Sequence, residues 1–420
     1  MVRASPSQST PVANALLVAA ALAVSVVCTE LGLRVDRAFH PLRYVGLEPP
    51  RPRDNEFRFY QYDSLLGWKN RAGAQGWFTL PDSRTYVLIN SKGLRDVERS
   101  YRPQGKPRVL MLGDSFAWGF GVERRERFTD VVSMMVGRAV EIVNTGVAGY
   151  GTDQELLYYE SEGYKYGARL VVLAFTLNDV VNNRHPVQYT YPKPRFVLRG
   201  DRLALQNVPV PARTAPWVQR YSLDQALPPR ATVVSSTKRF LRNHLLSYAF
   251  LVDRSKSLLG SDLPHSESAD PSDPLTQALI LELRRQVEQR GARLVVAMVP
   301  DKLLVAKGTG LDTWTSYVRF FQAKGLDYVD LRPGFVEESH RGTALFLAAD
   351  PHWNVAGHRL AAAVICRHLL EDTLVAAGAS AAVACAATDR VTERRSAPTA
   401  TMRARDASAP RSDSVPPGRH

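Results

Sequence analysis

The sequence predicts an α/β fold, a three-layer α/β/α sandwich on a parallel five-stranded sheet, and three observations carry that prediction. Short apolar runs recur through the middle of the chain without the polar alternation of a half-exposed sheet. Helical patterns separate them, as in repeated strand–helix units. The runs lead into polar or glycine-rich turns, where ligands collect in doubly wound sheets.

The elements come in chain order. "PVANALLVAAALAVSVVCTELGL", Pro11 to Leu33, is the one strongly apolar stretch. Its cleanest part, Ala15 to Cys28, is short for a membrane span, but Val12 and Leu31 to Leu33 extend it to near spanning length. No small-x-small cleavage site succeeds it, and Val27 before Cys28 argues against lipoprotein processing. Residues 1-37 are therefore read as an uncleaved membrane anchor, a transmembrane helix, with a cleaved signal sequence as the alternative. Arg3 on one side and Arg34 and Arg37 on the other barely set orientation. A catalytic domain outside the cytoplasm, periplasmic in a bacterium, is an expectation.

Residues 38-107 are aromatic and rich in Pro and Gly, and "YVLINSKGLRD" (Tyr86 to Asp96) reads as a strand and turn. They form an extension packed on the main domain, 108-371. Strands are predicted there at Val109–Leu112, Glu141–Val143, Leu170–Phe175, Leu294–Val299 and Asp327–Val329. Phe128, Val131, Val132, Met135 and Ala139 are spaced for one helix face. Further helices are expected at Asp153–Tyr166, Leu275–Arg290, Thr313–Lys324 and Val355–Leu370. A long interruption, 183-274, holds a hairpin turning at Gly200-Asp201 and a short helical piece in "NHLLSYAFLVDR". A structureless loop of that length is unusual, so it reads as an inserted lid or subdomain. The tail, 372-420, lacks periodicity and reads as disordered.

A net charge of +13 invites a nucleic-acid partner, but the arginines are dispersed, often beside acids, and no zinc-finger or RNA-binding signature accompanies them. Attraction to an anionic membrane surface or polysaccharide explains the charge as well. Three cysteines exclude a disulfide framework, and with no metal-spaced Cys/His cluster no metal is expected. "GFGVER" and "GYGTDQ" lack the third glycine of a dinucleotide fingerprint, and neither a phosphate loop nor a GxSxG elbow is present. No cofactor is expected.

The strand ends are more informative. Gly113-Asp114-Ser115 stands after the first strand, "NTGVAGYGT" with Gly149 after the second and "TLNDV" with Asn178 after the third; "AADPHWNVAGH" with Asp350 and His352 precedes the final helix. Alone, each has a plain structural reading as a turn or helix cap. Together they supply the parts of acyl transfer at a carbonyl. Ser115 needs an adjacent base, which His352 provides; Asp350 is the nearest carboxylate able to hold the imidazole in one tautomer. The oxyanion needs preorganised donors, offered by the backbone N–H groups of Ser115 and Gly149 and the amide of Asn178. His358 and His368 are placed on the surface of the last helix.

"GDSF", "NTGVAG", "LND" and "DPHWNVAGHRLA" together resemble the four blocks of the SGNH, or GDSL-type, hydrolases. "INSKGLRD" and the anchor resemble a membrane-anchored bacterial branch. The resemblance spans Arg108 to Leu370 apart from the insertion. It implies a flavodoxin-like sheet of order 2-1-3-4-5, with Ser115 beside Asn178 at the switch point. It also implies serine esterase activity through an acyl-enzyme on Ser115, on a small acyl, notably acetyl, ester that a carbohydrate can carry. Two departures stand out: Thr176 replaces the usual Gly before Asn178, and only Pro351 separates Asp350 from His352. The Asp-x-His spacing is similar to that of bacterial polysaccharide O-acetyltransferases and leaves Asp330 as an outside candidate for the acid. O-Acetyl transfer with the same residues is the alternative function, and a non-catalytic envelope-binding module is the third.

Overall fold

A computed structural model describes residues 11–39, 56–80, 82–137, 140–188, 191–212, 241, 245–248, 250–251, 273–348 and 350–371. The predicted tail and most of the insertion lie outside these residues. α1 (Pro11–Phe39) contains a stretch, Ala13–Asp36, long and apolar enough to cross a membrane. Leu16, Leu17 and Leu22 on it are exposed to the surroundings.

Two hairpins come next, β1 (Tyr60–Asp63) with β2 (Gly67–Asn70), and β3 (Gln75–Leu80) with β4 (Ser83–Leu88). They precede β5 (Arg108–Gly113), α2 (Ser115–Trp118), α3 (Phe128–Val136), β6 (Glu141–Asn144), α4 (Thr152–Ser161), β7 (Leu170–Phe175) and α5 (Leu177–Asn182). The insertion opens with short strands β8 (Val187–Gln188) and β9 (Tyr191–Pro192) and the hairpin of β10 (Arg195–Arg199) with β11 (Arg202–Gln206). Gly200 and Asp201 form its turn, as the sequence predicts. The main domain resumes with α6 (Pro274–Gln289), β12 (Arg293–Met298), α7 (Lys302–Lys307), α8 (Leu311–Lys324), β13 (Asp327–Asp330), α9 (Arg332–His340) and α10 (Val355–Glu371).

The five central strands lie in the order β13-β12-β7-β5-β6, all parallel, which is the predicted 2-1-3-4-5 arrangement. Successive side chains of a strand point to opposite faces, and each face here meets its own core. Leu110 and Leu112 join Leu173, Leu156 and Leu283 on one side; Val109 and Met111 join Val172, Val132 and Ile365 on the other. Burial on both faces explains why these strands read as unbroken apolar runs. The two short helices α7 and α9 are not foreseen by the sequence pattern. Each is set by a local cap or an early proline rather than by a wide apolar stripe: Asp301 accepts from Leu304 N at 2.7 Å, and Pro333 opens α9.

His358 corrects the expectation of a surface residue. It is 1% exposed, accepts from Phe128 N at 3.2 Å and stacks on the Phe128 ring. The neighbouring Gly357 lets α10 pass close to Leu345 O, where a Cβ would come within 2.2 Å. His368 is half-buried, its Nε2 lying 2.8 Å from Asp327 Oδ1.

Burial, then the Arg127 charge, holds the His358 pKa well below the usual histidine value. The unfolded chain binds a proton near pH 6.5 that the folded chain excludes, so this contribution is present above about pH 6.5 and lost as pH falls below it. The thermal midpoint of the wild type should therefore fall more steeply from about pH 7.5 to about pH 5.5 than that of His358→Gln. Parallel curves would contradict this assignment.

Candidate active site

β5 ends at Gly113, whose φ of 153° and contacts leave no room for a side chain: a Cβ would stand 2.7 Å from Ala117 Cβ and 2.9 Å from Ala174 Cβ. The chain then turns at once into α2. Asp114 caps that helix, its Oδ1 accepting from Phe116 N at 2.9 Å, and Gly119 closes it with φ of 84°. The plain reading of Gly-Asp-Ser as a cap is therefore true of Asp114, and it leaves Ser115 free for another role. With four residues, α2 is too short for a summed dipole to matter, so local N–H groups are what Ser115's surroundings offer.

Ser115 Oγ lies 2.7 Å from His352 Nε2, and Nδ1 of the same ring is in hydrogen-bond contact with Asp350 Oδ1. Asp350 Oδ1 also accepts from His352 N at 3.1 Å, so one carboxylate fixes both the backbone and the ring of His352. Serine, imidazole and carboxylate thus form one hydrogen-bonded chain, and Asp350 rather than Asp330 is the carboxylate on the ring. Asp330 instead accepts from Arg332 N at 2.9 Å and Trp314 Nε1 at 3.3 Å. The loop before Asp350 is held by Lys302, which donates to Leu347 O at 2.7 Å and Ala348 O at 2.8 Å. Phe120 stacks on the imidazole at 4.4 Å between centroids, and Phe116 lies 4.9 Å away.

Asn178, in the first turn of α5 just after β7, donates from Nδ2 to Asp114 Oδ2 at 3.1 Å. It therefore meets the residue next to Ser115, with its amide oriented by the carboxylate that caps α2. Gly149 (φ 82°) turns the loop after β6, where Tyr150 N donates to Val147 O at 3.2 Å. Among the described residues, no backbone acceptor engages the N–H of Ser115 or of Gly149.

Beneath this site lie three carboxylates without solvent contact. Burial raises the pKa of Asp114; burial and then the Asp114 charge push Asp179 well above the usual range; burial and then Asp179 do the same to Glu155. Thr176 explains its replacement of glycine here. Its hydroxyl lies between Asp179 Oδ1 (3.1 Å) and Asp114 Oδ2 (3.4 Å), and Asp179 Oδ2 accepts from Thr176 N at 3.1 Å.

Sequence reasoning missed Gly146. It packs directly on α2, where a Cβ would come within 2.6 Å of Trp118 N and 2.7 Å of Ala117 C. Asn144 reinforces the approach, donating to Ala117 O at 2.6 Å and accepting from Gly146 N at 2.7 Å. The block "NTG" carries the signal, since its glycine follows directly on Asn144 and Thr145 at the end of β6. Sequence reasoning also missed Arg95, a buried cation of the extension that reaches the segment after α2.

Residues 259–417 match the profile of the ALGX family, described as an SGNH hydrolase-like domain of the acetyltransferase AlgX. The match takes in Asp350 and His352 and does not reach back to Ser115. Solved structures similar to this chain include a lipolytic G-D-S-L family protein from Veillonella parvula (12% identity, 63% of this chain and 97% of that one, TM-score 0.35). They also include an aryl esterase from M. smegmatis (13%, 63% and 99%, TM-score 0.34) and an acetylxylan esterase from Geobacillus stearothermophilus (13%, 65% and 95%, TM-score 0.34). No curated protein matches the chain. The resemblance to SGNH hydrolases read from the four blocks is borne out.

Gly146→Ala should lower unfolding free energy by about 1–3 kcal/mol, because the added methyl meets backbone that cannot yield. Urea unfolding of the variant and the wild type measures this, and superimposable transitions would contradict the packing described.

Proposed function

We propose that this chain is a serine esterase acting on small acyl esters, with acetyl groups on a carbohydrate as the favoured substrate class. The observation that carries the reading is the unbroken contact from Ser115 Oγ through the His352 ring to Asp350. In the proposed mechanism Ser115 Oγ attacks the ester carbonyl while its proton passes to His352 Nε2. Asp350 holds the opposite N–H and stabilises the imidazolium. The oxyanion is met by the backbone N–H groups of Ser115 and Gly149 and by the second amide N–H of Asn178. His352 then protonates the leaving alkoxide, giving an acyl-enzyme and an alcohol. Water, deprotonated by His352, attacks the acyl-enzyme, releasing the acid and restoring the serine hydroxyl.

A second reading, transfer of the acyl group to a sugar hydroxyl in place of water, is favoured by two observations. The matching family profile is described by an acetyltransferase, and a single residue separates Asp350 from His352. The first half-reaction is the same in both readings, so they differ only in what meets the acyl-enzyme. For location we propose a membrane-anchored protein with its catalytic domain outside the cytoplasm. The apolar α1 supports the anchor.

Wild-type protein should be labelled by a fluorophosphonate probe and should hydrolyse p-nitrophenyl acetate. Ser115→Ala should abolish labelling, and Ser115→Ala and His352→Ala should each lower kcat by on the order of 10³-fold or more. A wild type that neither labels nor hydrolyses would leave the non-catalytic binding module as the better reading. Turnover that accelerates with added oligosaccharide and yields acetylated sugar would favour transfer over hydrolysis.

A further inference from the structure

Arg95, in the "INSKGLRD" segment of the N-terminal extension, has no place in the proposed mechanism, yet it is 1% exposed and donates from both terminal nitrogens, only its Nε being left without a partner among the described residues. Its Nη1 donates to Trp118 O at 3.0 Å and Gly119 O at 2.5 Å, and its Nη2 to Val122 O at 2.8 Å. The guanidinium also lies over the Trp118 ring, 4.5 Å from its centroid. Its own carbonyl accepts from Arg127 Nη1 at 2.6 Å, so the backbone that carries it is held in turn. The three carbonyls belong to one segment, Trp118–Val122, which leaves α2 through two glycines at φ of 84° and 80°. That segment carries Phe120, the ring stacked on His352. The extension touches it elsewhere as well: Phe78 backs Phe120 at 4.9 Å, Ser83 Oγ donates to Gly121 O, and Asn70 Oδ1 accepts from Trp118 Nε1 at 3.2 Å.

We propose that Arg95 is a positioning residue for His352, acting through Phe120. By gathering three carbonyls it fixes the segment after α2, and the segment presses Phe120 onto the imidazole face, which keeps the ring in line between Asp350 and Ser115. A guanidinium suits the task because its planar fork reaches several oxygens at once, where an ammonium is a single point. The inference rests on the reading of Ser115 and His352 as reacting groups.

The test is a double-mutant cycle on the full chain, reading kcat and KM for p-nitrophenyl acetate together with thermal midpoints. Arg95→Lys and Phe120→Leu should each lower kcat about tenfold, while KM stays within about twofold, since alignment rather than binding is lost. The double variant should be no slower than the slower single variant, because both changes break one chain of contacts. Multiplying effects, or an unchanged kcat in folded Arg95→Lys, would overturn the proposal. Should Arg95→Lys not fold, Ser83→Ala takes its place in the cycle, as it removes one tether without stranding a buried charge, and the same two outcomes decide. A wild type that neither hydrolyses nor labels overturns the Ser115 reading and this inference with it. A hydrolysing wild type with multiplying variants overturns this inference alone.

Discussion

Asp114 stands where β5 stops, and both of its carboxylate oxygens are used. One accepts the Phe116 N–H and starts α2; the other accepts the Asn178 amide N–H and joins the start of α5, just past β7. A carboxylate cut off from water must be hydrogen-bonded or protonated, so these two partners are obligatory rather than optional. A cap of this kind contributes about 0.5–2 kcal/mol. The geometric consequence is larger than that figure, because it sets where Ser115 and Asn178 stand relative to each other. Thr176, between Asp114 and Asp179, belongs to the same polar cluster.

The loops at the carboxyl ends of the strands carry many polar backbone groups that need partners. The extension before β5 supplies a good share. Trp68 Nε1 donates to Ala148 O at 3.1 Å, and Tyr150 returns a bond to Trp68 O at 2.5 Å. Asn70 accepts from Trp118 Nε1 at 3.2 Å and donates to Gly146 O at 3.4 Å. At the other end of β5, Arg108 bridges Glu141 and the carbonyls of Ser100, Tyr101 and Tyr166. The extension thus acts as a buttress, grasping the same loops from outside that the sheet presents from within.

Strand positions and the long helices were legible because a doubly buried strand and a one-faced helix leave distinct spacings in the sequence, whereas the sheet order came with the family resemblance. The meeting of Ser115, His352 and Asp350 came from their places at strand ends and from the four-block resemblance, which neither composition nor periodicity could replace. Gly146 and Arg95 escaped because their partners are backbone atoms distant in the chain, and a carbonyl looks the same beside every residue. His358 escaped because a helix's polar residue is read as outward-facing by default, while its partners, the N–H and ring of Phe128, are distant in the chain. α7 escaped for want of length and α9 for want of a stripe, Phe335 being its one buried residue; a cap fixes the first, and a proline opens the second.

The insertion leaves the main domain directly after α5 and returns at α6, and the two ends are clasped. Asn183 donates to Thr276 Oγ1 at 2.9 Å, Arg184 pairs with Asp273 at 3.2 Å, and Lys193 is buried against Asp153 just beyond. Because both ends meet at a closed stem, the cost of the chain between them grows only with the logarithm of its length. Sequence there can lengthen, shorten or be exchanged while the stem carries the load, leaving the strand ends undisturbed. This architecture lets descendants try new surfaces beside one fixed framework, with freedom and constraint divided at a handful of side chains.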